Sequence, residues 1–145
     1  MKNDHRIGAL FPIRRENVEE LFCKRKDVFI KFTSFKLVPE EIILFYVSGK
    51  GGIIGQGQIE RVEEMDSESA WTNYGNRIYL DRAQYELYCR ASPITGKVRT
   101  RKLKVFLLKD KQRFRRRLVP LFKVTPAGRY ITKAVFDKMI KRTVE

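Results

Sequence analysis

The sequence predicts an α+β fold in which a small β-barrel carries short helices on its outside. Apolar segments of strand length predict the barrel, and helix-capping residues between them predict the helices. In the most informative segment, an apolar strand over residues 42–47 leads through a glycine-rich turn into a second strand, in which Gly55 and Gly57 share one face. A face without side chains is typical of a sharply bent barrel strand, or of a surface that another backbone or a flat ligand approaches. Both interpretations stay open.

Two strands and a helix are predicted before this hairpin. Residues 7–12 and 28–33 have the apolar content and length of strands. Residues 16–23 place their apolar side chains at positions i, i+3 and i+4, which predicts a helix between the two strands.

Helices and strands alternate after the hairpin as well. Asp66 is predicted to cap a short helix that carries Trp71, and Asp81 with Gln84 resembles a capping box that opens a helix ending near residue 90.

The C-terminal third is predicted to contain two strands and a helix. Residues 102–108 alternate as a strand, and residues 118–124 are predicted as another, with Pro120 favouring an edge position. Thr132 is predicted to cap the final helix.

Size and composition limit the classes of function. The length of 145 residues predicts one domain over residues 1–145, and the absence of a long apolar run leads us to expect a cytoplasmic protein that does not enter a membrane. Cys23 and Cys89 have no partner at a zinc-ligand spacing, and His5 is the only histidine. We therefore expect no metal and no cofactor, and the chain offers no base for Ser–His or Cys–His catalysis.

The charge distribution points to a polyanionic partner. The formal net charge is +14, and eleven basic residues between positions 97 and 117 face a single acid, Asp110. These basic residues are Lys97, Arg99, Arg101, Lys102, Lys104, Lys109, Lys111, Arg113, Arg115, Arg116 and Arg117. Such a field attracts nucleic-acid phosphates, which makes nucleic acid the leading partner. A solvated face, or a site for an acidic protein patch, is the alternative.

The order of these elements resembles an archaeal family of small PUA-like proteins of unassigned function, related to the ASCH, EVE and YTH domains. The resemblance rests on LFPI (10–13), VFIKFTSFK (28–36), LFYVSGKGGIIGQGQI (44–59) and VTPAGRYIT (124–132). It implies a PUA-like mixed β pseudo-barrel of about five or six strands with flanking helices. It also implies binding of RNA, or of a modified base in a pocket.

Residues for such a pocket are present in the sequence. Recognition of an extruded or single-stranded base requires an aromatic wall, polar groups for the base edge and cations for the phosphates. The resemblance implies a pocket between the second strand and the segment after the glycine strand. The candidates there are Lys31, Thr33, Ser34, Phe35, Trp71, Asn73, Tyr74, Asn76 and Arg77. Packing of Trp71 and Tyr74 on the barrel as an apolar pair is the structural alternative.

An enzyme on the same fold is the second hypothesis. Some ASCH proteins are amidohydrolases that act on acetylated cytidine and use a lysine in a Gly-x-Lys-Thr stretch. Lys26 matches that lysine, but the glycine and the threonine are missing here. We therefore expect a non-enzymatic protein that binds nucleic acid, RNA in the first place. A nucleoside amidohydrolase and a basic protein-interaction module are the alternatives.

Overall fold

The computed structural model describes residues 4–90 and 102–144, which form a six-stranded mixed sheet with helices packed around it. The strands are β1 (Arg6–Ile13), β2 (Val28–Lys31), β3 (Ile42–Val47), β4 (Gly52–Met65), β5 (Leu103–Leu118) and β6 (Arg129–Thr132). Their order is β2-β5-β4-β3-β1-β6, with β1 and β3 parallel and the other neighbours antiparallel. The predicted α+β fold is confirmed.

The helices of the described residues are α1 (Val18–Leu21), α2 (Ser67–Tyr74), α3 (Arg82–Cys89) and α4 (Lys133–Val144). Three of these four, α2, α3 and α4, begin where the sequence places capping residues. The Asp66 carboxylate accepts a hydrogen bond from the backbone N–H of Ser69, and Asp81 with Gln84 forms the predicted capping box. No helix in the described part of the chain is long and apolar enough to cross a membrane.

The sheet separates two apolar clusters, because alternate residues of β1 and β3 point to opposite faces. Phe11 and Phe45 belong to the larger cluster, whereas Leu10 and Leu44 belong to a smaller one that packs against α4. The long strands β4 and β5 contribute to both clusters. These two strands therefore hold the two halves of the fold together.

The glycine face of β4 is filled by protein. A Cβ atom on Gly55 would lie 2.4 Å from the carbonyl oxygen of Gln112 and 2.5 Å from the ring of Phe22. On Gly57 it would lie 3.0 Å from a methyl group of Leu108. The approach of another backbone and of packed side chains therefore explains the glycines, and protein rather than a ligand occupies the space beside Gly55 and Gly57.

The prediction of a strand over residues 118–124 is wrong. Strand β5 continues ten residues beyond the predicted end at 108 and stops at Leu118. Its second half is hydrogen-bonded to β4 although Phe114 is the single apolar residue between positions 109 and 117. Pro120 lacks the N–H that a ladder would need, so no strand follows.

Two further boundaries and one additional strand differ from the prediction. Residues 16–23 form a 3-10 turn, Arg15–Asn17, followed by the four-residue helix α1. The second strand ends at Lys31, and β6 was not predicted as a strand. Four residues carry too little periodicity to be recognised, and pairing with β1 supplies the bonds that make β6 a strand.

Candidate nucleic-acid interface

A cavity of about 750 Å³ opens where the parallel strands β1 and β3 end. It lies between the ends of β1 and β2, the turn between β3 and β4, helix α3 and residues 124–126. Parallel strands end at the same edge of a sheet, so the segments that follow β1 and β3 converge here. Cavities of this size enclose ligands as large as one nucleotide.

Aromatic and aliphatic side chains form the walls of the cavity. The ring of Tyr79 stacks on that of Phe29, with 5.5 Å between centroids and 13° between planes. Tyr46 and Tyr88 also line the cavity, and Leu87 extends this apolar surface outward with 62% of its area exposed. Flat apolar walls of this kind suit a planar heterocycle.

The charge of the cavity has one sign. Arg14, Lys31, Lys50 and Arg90 line it, and no Asp or Glu does so within the part of the chain that the structure describes. The Lys31 ammonium donates a hydrogen bond of 2.8 Å to the carbonyl oxygen of Pro126, which fixes it at the edge of the cavity. An anionic ligand is therefore favoured over a cationic one.

Of the predicted pocket residues, Lys31 lies in this cavity. The residues that follow it turn away. Phe35 stacks on Tyr130 with 4.3 Å between ring centroids, and the Thr33 hydroxyl accepts a hydrogen bond from the Phe35 N–H. Ser34 is exposed beside them.

The predicted residues of α2 form a separate group. Trp71 packs on Tyr85 at 4.8 Å between centroids. The Tyr74 hydroxyl donates to the Glu63 carboxylate at 2.6 Å and accepts from Arg61 at 3.2 Å. None of these side chains lines the cavity, and the structure does not bring α2 together with Lys31 in one pocket.

Arg77, which follows α2 in the chain, is held by the carboxylate of Asp27. Its guanidinium makes two hydrogen bonds of 2.8 Å to Asp27, and this pairing holds the pKa of the Asp27 carboxyl below its usual value. Asn73 and Asn76, which are close to Arg77 in sequence, are exposed at the surface. The charge of Arg77 is therefore already paired within the protein.

The basic half of β5 forms a second candidate surface, the arginine groove. Its lining residues are Ile54, Arg113, Phe114, Arg115, Arg116, Arg117, Val119 and Arg142, around about 660 Å³. Arg113 forms an ion pair with Glu19 at 3.0 Å, whereas Arg115 and Arg116 form none with the described residues. Lys97, Arg99 and Arg101, which were also predicted to bind phosphates, lie outside the described residues.

One lysine of the basic segment is directed into the protein. The Lys111 ammonium donates to the carbonyl oxygens of Leu21, Cys23 and Lys26 at 2.7, 2.8 and 2.6 Å, and burial lowers the pKa of Lys111. Lys26, the catalytic candidate of the enzyme hypothesis, lies in this loop and does not line the cavity.

Most cavity residues were not among the sequence candidates. The helical spacing of α3 could have indicated that Gln84 and Tyr88 share a face, since they are four residues apart. Asn17 and Lys50 lie in turns and carry no motif. Their proximity depends on the parallel pairing of β1 with β3, which no local pattern shows.

The solved structures that resemble this chain are ASCH proteins. The ASCH protein of Zymomonas mobilis matches with a TM-score of 0.74 at 20% identity, covering 96% of this chain and 97% of that chain. Two mutants of it match with TM-scores of 0.75 and 0.76 at 20% and 21% identity, covering 95% and 97% of this chain and 99% of theirs. This likeness establishes the ASCH-type, PUA-like fold.

Sequence comparison gives the family. No curated protein matches the chain. The family described as "Domain of unknown function (DUF365)" matches residues 6–133, which is most of the chain. The protein therefore belongs to the DUF365 family and has the fold of ASCH proteins.

Proposed function

We propose that this protein binds nucleic acid, RNA in the first place, with one base in the cavity and phosphates on the surrounding cations and the arginine groove. The observation that carries this proposal is the composition of the cavity, which combines stacked aromatic walls with four basic residues and no described carboxylate. A base stacks on the aromatic walls, and its phosphates neutralise the cations.

The arginine groove supports the same proposal. Arg115 and Arg116 are exposed and have no acidic partner among the described residues, so their charges are available to phosphates. Each phosphate contact releases condensed counterions, which makes binding depend on salt.

The amidohydrolase alternative receives less support from the geometry. A catalytic lysine needs a neighbouring group that tunes or accepts its proton, and carboxylates commonly serve this purpose. Lys26 does not line the cavity, and no carboxylate does so among the described residues. We expect no release of acetate from acetylated cytidine by the purified protein. Release by the parent that is lost in Lys26→Ala would favour the enzyme instead.

The binding proposal is tested by the salt dependence of affinity. We expect the double variant Arg115→Ala/Arg116→Ala to weaken binding of any single-stranded RNA alike. We also expect the slope of log K against log salt to become shallower by about 0.7 for each lost contact. Fluorescence anisotropy at several salt concentrations measures both quantities.

Arg82→Ala is the matched control, because Arg82 is an exposed arginine paired with Glu86 on α3. It should leave the slope unchanged. A parent protein whose affinity does not change with salt would contradict the proposal, and so would a double variant that keeps the parental slope.

A further inference from the structure

Two buried polar side chains in the cavity have hydrogen-bonding atoms that no described residue uses. Asn17 and Tyr79 line the cavity and are 5% and 9% exposed. Within residues 4–90 and 102–144, the Asn17 amide nitrogen donates to no acceptor and the Tyr79 hydroxyl forms no hydrogen bond. Buried polar groups are nearly always paired, so groups left open in a cavity indicate a partner that binds there.

The orientation of the Asn17 amide follows from a chain of hydrogen bonds. The backbone N–H of Asp81 donates to the Gln84 side-chain oxygen at 3.0 Å, and a backbone N–H can only donate. The other end of the Gln84 amide is therefore its nitrogen, which donates to the Asn17 side-chain oxygen at 2.9 Å. The capping box of α3 thus fixes Asn17 so that its NH₂ group is left for a ligand.

Tyr79 complements this donor. Its ring is held by stacking on Phe29, so the position of the hydroxyl is defined, and it forms no hydrogen bond within the described residues. Burial raises the pKa of Tyr79, which keeps the hydroxyl protonated and able both to donate and to accept. The cavity therefore has apolar walls and two oriented polar groups.

We propose that Asn17 and Tyr79 recognise the hydrogen-bonding edge of a nucleobase. Asn17 donates to a ring carbonyl or ring nitrogen, and the Tyr79 hydroxyl binds a neighbouring polar atom of the same edge. The ligand is then a nucleotide whose base presents an acceptor to Asn17, while its phosphate meets the cations of the cavity. This inference rests on the proposed function and specifies how its cavity selects a ligand.

The test uses two variants that change single atoms or groups. Asn17→Asp keeps an oxygen for the Gln84 amide, replaces the NH₂ group with an oxygen that cannot donate, and adds a negative charge, which would weaken ribose phosphate as well as base binding. Tyr79→Phe removes only the hydroxyl. The matched control is Tyr85→Phe, which removes a hydroxyl that donates to the Ser67 carbonyl oxygen at 2.5 Å, outside the cavity.

Affinity is measured by anisotropy with a single-stranded RNA of about twelve nucleotides, and by competition with nucleoside monophosphates and with ribose phosphate as a base-free probe. We expect Asn17→Asp to weaken binding at least about tenfold, and Tyr79→Phe about fivefold, because a site that loses a hydrogen bond to its ligand loses about this much. Tyr85→Phe should bind as the parent does. Ribose phosphate should compete poorly.

Thermal melts separate recognition from folding. Tyr79→Phe should melt at or above the parental temperature, because its hydroxyl has no described partner, whereas Tyr85→Phe should melt lower. RNA binding by the parent with unchanged affinity in both cavity variants would overturn this inference and leave the proposed function standing. A parent that binds neither RNA nor any nucleotide would overturn both. If ribose phosphate competes as well as the nucleoside monophosphates do, the cavity recognises phosphate alone. That result would overturn the inference that Asn17 and Tyr79 bind a base edge.

Discussion

Replacing Lys111 with methionine tests whether this lysine holds the loop after α1 rather than a phosphate. Its ammonium donates three hydrogen bonds of 2.6 to 2.8 Å to backbone carbonyl oxygens at residues 21–26. Methionine keeps the length of the stem but cannot donate, so three carbonyl groups lose the ammonium as a donor, and that of Cys23 retains the Lys26 N–H. Charge-assisted hydrogen bonds contribute about 1.5–3 kcal/mol each, and the cost of burying the ammonium, which the lowered pKa reflects, offsets part of that gain.

We therefore expect Lys111→Met to lower the free energy of unfolding by about 3 kcal/mol. For a domain of this size each kcal/mol moves the melting temperature by about 2–4 °C, so the midpoint should fall by about 6–12 °C. Urea titration and a thermal melt measure the two quantities. The salt slope of RNA binding should stay as in the parent, because the Lys111 charge is directed into the protein.

Lys109→Met is the matched control for this experiment. Lys109 lies two residues earlier on β5 and forms one exposed ion pair with Glu40 at 2.9 Å. Exposed ion pairs contribute about 0–1 kcal/mol, so its loss should move the midpoint by no more than about 4 °C. Equal midpoints for the two variants would refute the assignment of Lys111 to the loop.

Two further predictions concern residues near α2. Because Arg77 lowers the pKa of Asp27, the stability that this pair contributes is present in full above about pH 4 and is lost as the pH falls through the lower folded-state value. Acid titration of unfolding free energy should show a parent-minus-Asp27→Asn difference that shrinks only below that pH, and a constant difference would contradict the pairing. Trp71→Ala should cost about 3 kcal/mol of stability, since the ring packs on Tyr85, and should leave RNA affinity unchanged. A parental melt with weakened binding would instead assign Trp71 to the ligand.

Local chemistry made the starts of α2, α3 and α4 and the central hairpin predictable. Asp66 and Asp81 are recognised as caps because the groups they bind lie three residues away. The alternation of β4 from Gly55 to Ile59 is equally local, and its buried positions there follow the predicted face. Ile53 does not, because a bulge before Gly55 places it in the smaller cluster on the other face. The meaning of Gly55 is not local, since it depends on Gln112 and Phe22, which reach the glycine from distant parts of the chain.

The role of a basic residue is the property that sequence predicted least well. Lys111 and Arg115 belong to the same basic segment, yet one ammonium binds backbone carbonyl groups and the other side chain is exposed without an ion pair among the described residues. The difference arises from the loop after α1, which packs against β5 at Lys111 and supplies the carbonyl groups that its ammonium binds. A count of charges gives the sign of the electrostatic field, but it does not show which charged side chains remain free to bind a phosphate.

The turn between β3 and β4 joins the two surfaces on which the proposal depends. Lys50 in this turn lines the cavity, while the carbonyl oxygen of Gly51 accepts a hydrogen bond of 3.4 Å from Arg117 of the arginine groove. The turn is thus shared, with one side toward the base site and the other toward the arginines. A single-stranded RNA with one base in the cavity would therefore reach the arginine groove by crossing a single turn of the protein. One continuous RNA strand would then occupy both surfaces. The same contact gives Arg117 a structural partner, which leaves Arg115 and Arg116 as the residues whose removal reports on phosphate binding alone.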